Sequence, residues 1–365
     1  MHHVSPQKIP HVVHIIPTLA IGGAEKFVLE LTKHIDVREL KQSIVTFWDD
    51  SPFLTSLPAH VEHTHINFFD IPYTKRIAIL ARYLKDNNVD VVHTHLFSAD
   101  LWGRLAARRA GIPVITTEHN INKAESFLWT MIKRCMRRMS HVYTAPSQAV
   151  ADFMSRVYHI DKLSIQIIRH GIDISVFSQT LDAQFVQPYR IGLVGRVVEQ
   201  KGHKIAIDAL TYLSDISCRF VFRGNGQTDE LQRYAQQQGV DEHIEWSQAT
   251  VDEHDIYADI DILIVPSLWE GLGLIVLEAM ASKRIVIASN IDGLKENIDD
   301  AVTGFFVPVE DAQALAEKIR FVLDNEKKRK HIVDNAYTWV CQHASIDKMA
   351  KQYQKLYSTV CTTTK

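Results

Sequence analysis

The run Ile262-Leu263-Ile264-Val265-Pro266-Ser267-Leu268-Trp269-Glu270-Gly271-Leu272-Gly273-Leu274-Ile275-Val276-Leu277-Glu278-Ala279-Met280-Ala281 decides the fold. Its first four residues are the unbroken apolar stretch of a parallel strand buried on both faces, and Pro266 with Ser267 ends it. A glycine-punctuated loop follows, then an apolar helix. Glu270 falls in the loop, and Glu278 lies one to two turns into the helix, about 8 to 12 Å further along. Strand, loop and helix in this order form a unit of an α/β protein, whose ligands bind where the strands end. A carboxylate accepts hydrogen bonds from adjacent hydroxyls, and the separation suits a hexose at Glu270 and a ribose at Glu278. Gly271 and Gly273, alternating with Leu272 and Leu274, permit close backbone approach, and the free amides of a helix start favour a phosphate. The plain alternative is two acids engaged in ordinary ion pairs.

Upstream, Ile191-Gly192-Leu193-Val194-Gly195-Arg196-Val197-Val198-Glu199-Gln200-Lys201-Gly202 reads as a second buried strand. It leaves through a glycine into a loop carrying two cations, and a helix over about 203–212 follows. Guanidinium offers a fork to phosphate oxygens and ammonium a compact point charge, so Arg196 and Lys201 together suit a diphosphate without a metal ion. Each cation alone reads as a solvated surface charge. Their place at the carboxyl end of a parallel strand favours a ligand role.

These residues carry a resemblance. Gly195-Arg196, Lys201-Gly202, Gly224-Asn225-Gly226, Pro266-Ser267 and the Glu270/Glu278 pair resemble, in order and spacing, the family-four retaining glycosyltransferases of the GT-B fold. Gly22-Gly23-Ala24-Glu25 after a first strand, Glu118-His119 after another and His170-Gly171-Ile172-Asp173 near the midpoint extend the likeness over nearly the whole chain. The resemblance implies two Rossmann-like, doubly wound parallel-sheet domains facing a central cleft. Three positions depart from the family pattern: His170 stands where Asn is common, Asp292-Gly293 where Gly-Gly is frequent, and Ser247, after a strand ending near Trp246, where glycine is usual.

Composition agrees with two α/β domains. The 365 residues are 46% apolar with 40 basic and 43 acidic side chains, enough to bury two cores. A net charge of −3 argues against a dedicated nucleic-acid binder. Cys135, Cys218, Cys341 and Cys361 lack metal-like spacing, which fits a reducing compartment. The start Met1-His2-His3 is not followed by a long apolar run, and no stretch approaches membrane-spanning length. The expected location is therefore cytoplasmic, and the resemblance, with the basic segment 127–139, implies a peripheral place at the inner face of the cytoplasmic membrane.

Short apolar strands at 12–16, 44–47, 89–92, 114–117, 142–145, 191–194, 220–222, 262–265 and 285–288 alternate with helical patterns at 24–35, 77–87, 99–110, 205–213 and 312–323, which predicts two parallel sheets. No internal repeat interrupts this order. The polar segment 175–188 reads as the interdomain linker. The domains are expected at 1–178 (acceptor side) and 179–342 (nucleotide-sugar side), with 343–365 a C-terminal helix returning to the first domain as in GT-B relatives.

In the first half, Gly22 and Gly23 precede a helix, so their amides face donor phosphates or the reacting sugar, or else make a plain tight turn. His119 follows the 114–117 strand, at the face where ligands bind, and by composition alone a lone histidine there reads as structural. The matching family histidine faces the donor sugar, where it hydrogen-bonds a hydroxyl or stabilises charge developing at the anomeric carbon. Asp259-Ile260-Asp261 has the spacing of a metal-binding pair but immediately precedes a buried strand and reads as structural. His93-Thr94-His95 lacks a Cys or carboxylate at ligand spacing and reads as lining the acceptor cleft. The segment 127–139 mixes aromatic and aliphatic bulk with Lys133, Arg134, Arg137 and Arg138, the composition of a helix that lies in an anionic membrane interface. Alternatively it is a domain helix packing Leu128, Ile132 and Cys135 inward. Gly103-Arg104 and Arg108-Arg109 add positive charge to the same domain.

The resemblance implies a retaining hexosyltransferase using a uridine or guanosine diphosphate sugar, with a glycan or lipid-linked acceptor, no metal and no cofactor. Arg196 and Lys201 then hold the diphosphate, Glu278 the ribose and Glu270 the sugar hydroxyls. His119, Arg196, Lys201 and Glu270 are the catalytic set. Gly22, Gly23, Gly224, Asn225, Gly271, Leu272, Gly273 and Leu274 complete the donor site. The rivals are a nucleotide-sugar epimerase, which turns over donor with no acceptor, a phosphorylase, which needs inorganic phosphate, and a silent sugar-nucleotide binder.

Overall fold

The computed structural model describes residues 9–48, 51–123, 125–179, 182–250, 252 and 255–363. The chain divides into two compact units, Met1–Gly171 with Ile346–Lys365, and Ile172–Ser345. The division falls upstream of the polar segment 175–188, because Ile172 and Phe177 are buried in the core of the second unit.

In the first unit seven parallel strands, β1 (His11–Ile15), β2 (Lys41–Thr46), β3 (Glu62–His65), β4 (Val91–His95), β5 (Val114–Thr117), β6 (Val142–Ala145) and β7 (Ile165–Ile167), lie in the order β3-β2-β1-β4-β5-β6-β7. The order reverses between β1 and β4, and such a switch point opens a crevice at the carboxyl ends of the strands. All five residues of β1 and of β4 are buried, as expected of parallel strands covered by helices on both faces. Alternation assigns Val12, Ile44 and Val91 to one face, packed with Phe27 and Leu31 of the helix Gly23–His34. The helix Ile346–Thr363 closes that face with Met349, Ala350, Tyr353, Leu356, Tyr357 and Val360, apolar positions at helical spacing. This last helix belongs to the first unit although 174 residues of the second unit, Ile172–Ser345, precede it.

The second unit has six parallel strands, β8 (Tyr189–Val194), β9 (Cys218–Arg223), β10 (Ile244–Ser247), β11 (Ile262–Val265), β12 (Ile285–Ser289) and β13 (Phe305–Val307), in the order β10-β9-β8-β11-β12-β13. Its switch point lies between β8 and β11. Ile262 and Ile264 face one core with Ile191, Leu193, Ile285 and Ile287. Leu263 and Val265 face the other with Val276, Leu277 and Met280 of the helix Leu274–Ala281. The four-residue run Ile262–Val265 is thus buried on both sides, with relative exposures of 0–1%.

Among the described residues no helix is long and apolar enough to cross a membrane. None of the four cysteines is joined in a disulfide.

Candidate active site

The loops that leave β8 and β11 meet across the switch point of the second unit. Lys201 closes a short turn, Glu199–Lys201, and Gly202 follows it with φ +69°, a left-handed conformation that ends the turn and opens the helix His203–Thr211. A Cβ on Gly202 would stand 2.1 Å from the Pro266 carbonyl oxygen, so only glycine lets the β8 loop press against the β11 loop. Two hydrogen bonds join the loops: Leu268 N donates to Gln200 O at 2.9 Å, and Gln200 Nε2 to Trp269 O at 2.8 Å.

This seam brings Lys201 to Glu270. Nζ lies 2.5 Å from Glu270 Oε1, and the side chains are 15% and 6% exposed. Ser267 Oγ donates to the same oxygen at 3.0 Å, and Gln200 Nε2 approaches Oε2 at 3.4 Å. A charge-assisted pair with two further donors fixes the carboxylate far more tightly than a solvated pair does. Gly195 lies along the Lys201 stem, where a Cβ would meet Cε at 3.1 Å.

Gly224 follows β9, and a Cβ there would stand 1.8 Å from Gly195 O. That contact holds the β9 loop, with exposed Asn225, against the β8 loop, and Val197 N donates to Asn225 O at 2.8 Å. Arg196 is exposed at this rim, and its guanidinium has no partner among the described residues. Gly271, Leu272 and Gly273 are buried, Leu274 is half-buried, and Gly273 caps the helix Leu274–Ala281 with φ +75°. Glu278, 5% exposed, accepts a hydrogen bond from Tyr257 Oη at 2.8 Å. The structure therefore joins Lys201, Gln200, Ser267 and Glu270 in one cluster, while Glu278 pairs with Tyr257. Gln200, a neighbour of Lys201 in sequence, carries no signal of its own that reveals its bridging role.

Asp261 and Asp259 have separate partners. Asp261 accepts from the amides of Phe185 and Arg190, and Asp259 pairs with Arg223 at 2.9 Å.

In the first unit Gly22 is the N-cap of the helix Gly23–His34, its carbonyl accepting from Lys26 N, and Gly23 is exposed. His119 lies two residues past β5. Its Nε2 meets His95 Nδ1 at 3.1 Å, and its ring packs edge-on against Phe27 at 5.1 Å and beside His170 at 5.3 Å. His119 Nδ1 is buried without a partner among the described residues, which costs about 1–3 kcal/mol unless a donor arrives.

His93 and His95 do not line an accessible cleft. The expected strand at 89–92 extends through His95, and both rings are 0% exposed. With His14 they lie under the helices Gly23–His34 and Ile346–Thr363. His93 binds Tyr357 Oη at 2.7 Å and Thr117 Oγ1 at 2.6 Å. Burial holds His93, His95 and His170 well below the ordinary histidine pKa, His14 down to about 4 and His119 to about 3.

The helix Phe127–Cys135 is turned opposite to a domain helix packing Leu128 and Cys135 inward. Leu128 is 62% exposed, Phe127 79% and Trp129 41%, Cys135 is also exposed, and the buried residue is Lys133. Lys133 Nζ lies 2.9 Å from both Glu118 and Glu125 and 3.0 Å from Tyr158 Oη. Burial alone would lower its pKa, but Glu118, with Tyr158, Asp100 and Glu125, reverses that and holds it above the ordinary lysine value. A lysine among apolar residues gives no local sign that its partners lie 15 and 8 positions away. Arg104 is likewise buried and paired with Asp100 at 3.2 Å, whereas Arg108 and Arg109 are exposed.

Comparison with known proteins agrees with this architecture. Residues 21–176 match Glycosyltransferase Family 4, and residues 183–339 match the glycosyl transferases of group 1. A phosphatidyl-myo-inositol mannosyltransferase of Mycobacterium leprae is 27% identical over 93% of this chain and 94% of its own. The UDP-Gal:alpha-D-GlcNAc-diphosphoundecaprenol alpha-1,3-galactosyltransferase of Escherichia coli is 25% identical over 69% of this chain and 71% of its own. The crystal structure of HepE from Anabaena in complex with UDP-glucose superposes with a TM-score of 0.84 at 20% identity, covering 96% of this chain and 99% of that one. With one family matched in each half, the chain belongs to the group 1, family 4 glycosyltransferases and is a retaining glycosyltransferase of the GT-B fold.

Proposed function

We propose that the protein transfers a hexose from a uridine or guanosine diphosphate sugar to a hydroxyl of a glycan or lipid-linked acceptor, the second unit holding the donor and the first serving the acceptor side. The observation that carries this reading is the Lys201–Glu270 cluster at the switch point of the second sheet, with Arg196 exposed beside it. Lys201 and Arg196 neutralise charge that grows on the departing diphosphate, in place of a metal ion. Glu270 accepts from sugar hydroxyls and Glu278 from the ribose. The loop Gly271–Leu274 and the Gly224-Asn225 turn wall the site, the Gly22 and Gly23 amides approach donor phosphates, and His119 faces the sugar. The relative that uses UDP-Gal on a diphosphoundecaprenol acceptor and the structure holding UDP-glucose support a nucleotide-sugar donor and a lipid-linked or glycan acceptor. The test is transfer of labelled sugar from a panel of UDP- and GDP-sugars to lipid-linked saccharides in the presence of EDTA. Metal-independent transfer to one acceptor, with the anomeric configuration kept, is expected. Donor turnover without an acceptor product contradicts the reading.

The acceptor side meets a membrane in this proposal. The helix Phe127–Cys135 presents Phe127, Leu128 and Trp129 outward while its lysine is drawn into the protein, and Arg137 and Arg138 are exposed just beyond it. Apolar side chains beside arginines suit the interface of an anionic bilayer. In this reading the protein works in the cytoplasm, peripheral at the inner face of the cytoplasmic membrane. Each of these side chains contributes about 1–3 kcal/mol on burial. Replacing Phe127 and Leu128, the two most exposed, with serine should therefore sharply reduce co-sedimentation with phosphatidylglycerol vesicles and leave the unfolding temperature unchanged. Equal sedimentation of variant and wild type would remove the helix from the contact.

A further inference from the structure

Three imidazoles of the first unit form one hydrogen-bonded line. His14 Nε2 lies 3.1 Å from Gln42 Oε1, His14 Nδ1 lies 3.2 Å from His95 Nε2, and His95 Nδ1 lies 3.1 Å from His119 Nε2. Such a line has two possible directions, and its far end sets which one is adopted. Gln42 Nε2 points to the carbonyl of Thr32 at 3.5 Å, in the last turn of the helix Gly23–His34, where carbonyls lack partners within the helix. An amide oxygen turned to that carbonyl would repel it, so the oxygen faces His14. His14 then carries its proton on Nε2 and accepts at Nδ1. His95 donates from Nε2 and accepts at Nδ1, and His119 donates from Nε2. Burial keeps all three rings neutral, so each holds a single proton and tautomer becomes the variable.

We propose that Gln42, His14 and His95 are positioning residues which lock His119 in its Nε2–H tautomer, so that its buried, unpartnered Nδ1 presents a lone pair to a hydroxyl of the bound sugar. His119 thereby accepts a hydrogen bond from its ligand and does not donate one. A sugar hydroxyl satisfies it, and a carbonyl or phosphate oxygen at the same place does not. The Nδ1 atom buried without a donor is the second, independent sign of a ligand group, since buried polar atoms rarely stay unsatisfied. This inference rests on the reading of His119 as a residue facing the donor sugar.

The test is the nitrogen spectrum of the full-length protein labelled with 15N-histidine, with His119 assigned through His119→Asn. In wild type, His119 Nδ1 should be unprotonated and Nε2 protonated. Gln42→Met, which removes the terminal acceptor, should populate the opposite tautomer and lower kcat/KM for the donor about tenfold, roughly one lost hydrogen bond. Gln42→Glu, buried and therefore held as the neutral acid with its hydroxyl toward Thr32 O and its carbonyl oxygen toward His14, should keep both the tautomer and at least about half the activity. A proton on Nδ1 in wild type overturns the proposal, as does an equal loss of activity in both variants with the tautomer unchanged. If neither variant folds, the wild-type spectrum alone decides. Unaltered turnover in His119→Asn removes the site reading instead, a result distinct from either spectrum.

Discussion

Lys201→Ala and Glu270→Ala should each lower kcat/KM for sugar transfer on the order of 10³-fold or more, the scale set by losing a preorganised charge that acts on the leaving group. The two residues hold each other at 2.5 Å, beneath a seam that Gly202 alone permits. Removing the ammonium takes away the cation paired with Glu270 and leaves that carboxylate, 6% exposed, with Ser267 and Gln200 as its side-chain donors among the described residues. Glu270→Ala frees the ammonium from its anchor, and the position that the diphosphate needs is lost. Both variants should keep the fold, because the two sheet cores do not include either side chain. The check is steady-state transfer alongside thermal unfolding. Near-normal turnover in both variants would dismantle the site assignment.

Acid should destabilise the first unit steeply. His14, His93, His95, His119 and His170 are all depressed by burial, to about 4 for His14 and about 3 for His119. Unfolded histidines titrate near 6.5, so below that pH the unfolded chain binds protons that the folded chain refuses. The stability contribution is therefore complete above about pH 6.5 and is lost as pH falls toward the folded values. Each group that titrates only on unfolding removes about 1.4 kcal/mol per pH unit in that window. Asp100 and Glu118, pushed up by burial, act in the opposite direction. They take up protons in the fold before they do in the unfolded chain, which blunts the loss at lower pH. Denaturant unfolding at pH 7.5 and pH 5 should show the difference, and His170→Asn should reduce it by removing one such group. A pH-independent midpoint would contradict the buried, neutral histidines.

Much of the second unit was legible because its signals are local. Ile262–Val265 announces a strand buried on both faces, and the glycines at 195, 202 and 224 mark the loops that cross its end. The edge strands β3, β7 and β13 escaped the pattern reading, and β10 entered it only through the family likeness. Those four strands are three or four residues long, and with one side unpaired they need little apolar content. The histidine line was illegible for a different reason. His14, His95 and His119 belong to three strands or their ends, 81 and 24 residues apart, and nothing at one position reports on another. The inverted helix Phe127–Cys135 was half legible: its mixture of aromatic and basic residues is plain, but which face turns inward depends on Glu118 and Glu125.

In the proposed reaction the second unit binds a nucleotide-diphosphate sugar through Lys201 without a metal ion. Calorimetric titration of UDP- and GDP-sugars in EDTA, against wild type and Lys201→Ala, tests it most directly. Wild type should bind one nucleotide series, with affinity reduced about a hundredfold in the variant, as expected for a lost charge-assisted contact. Equal affinity in both proteins, or binding that appears only when a divalent cation is added, would contradict it.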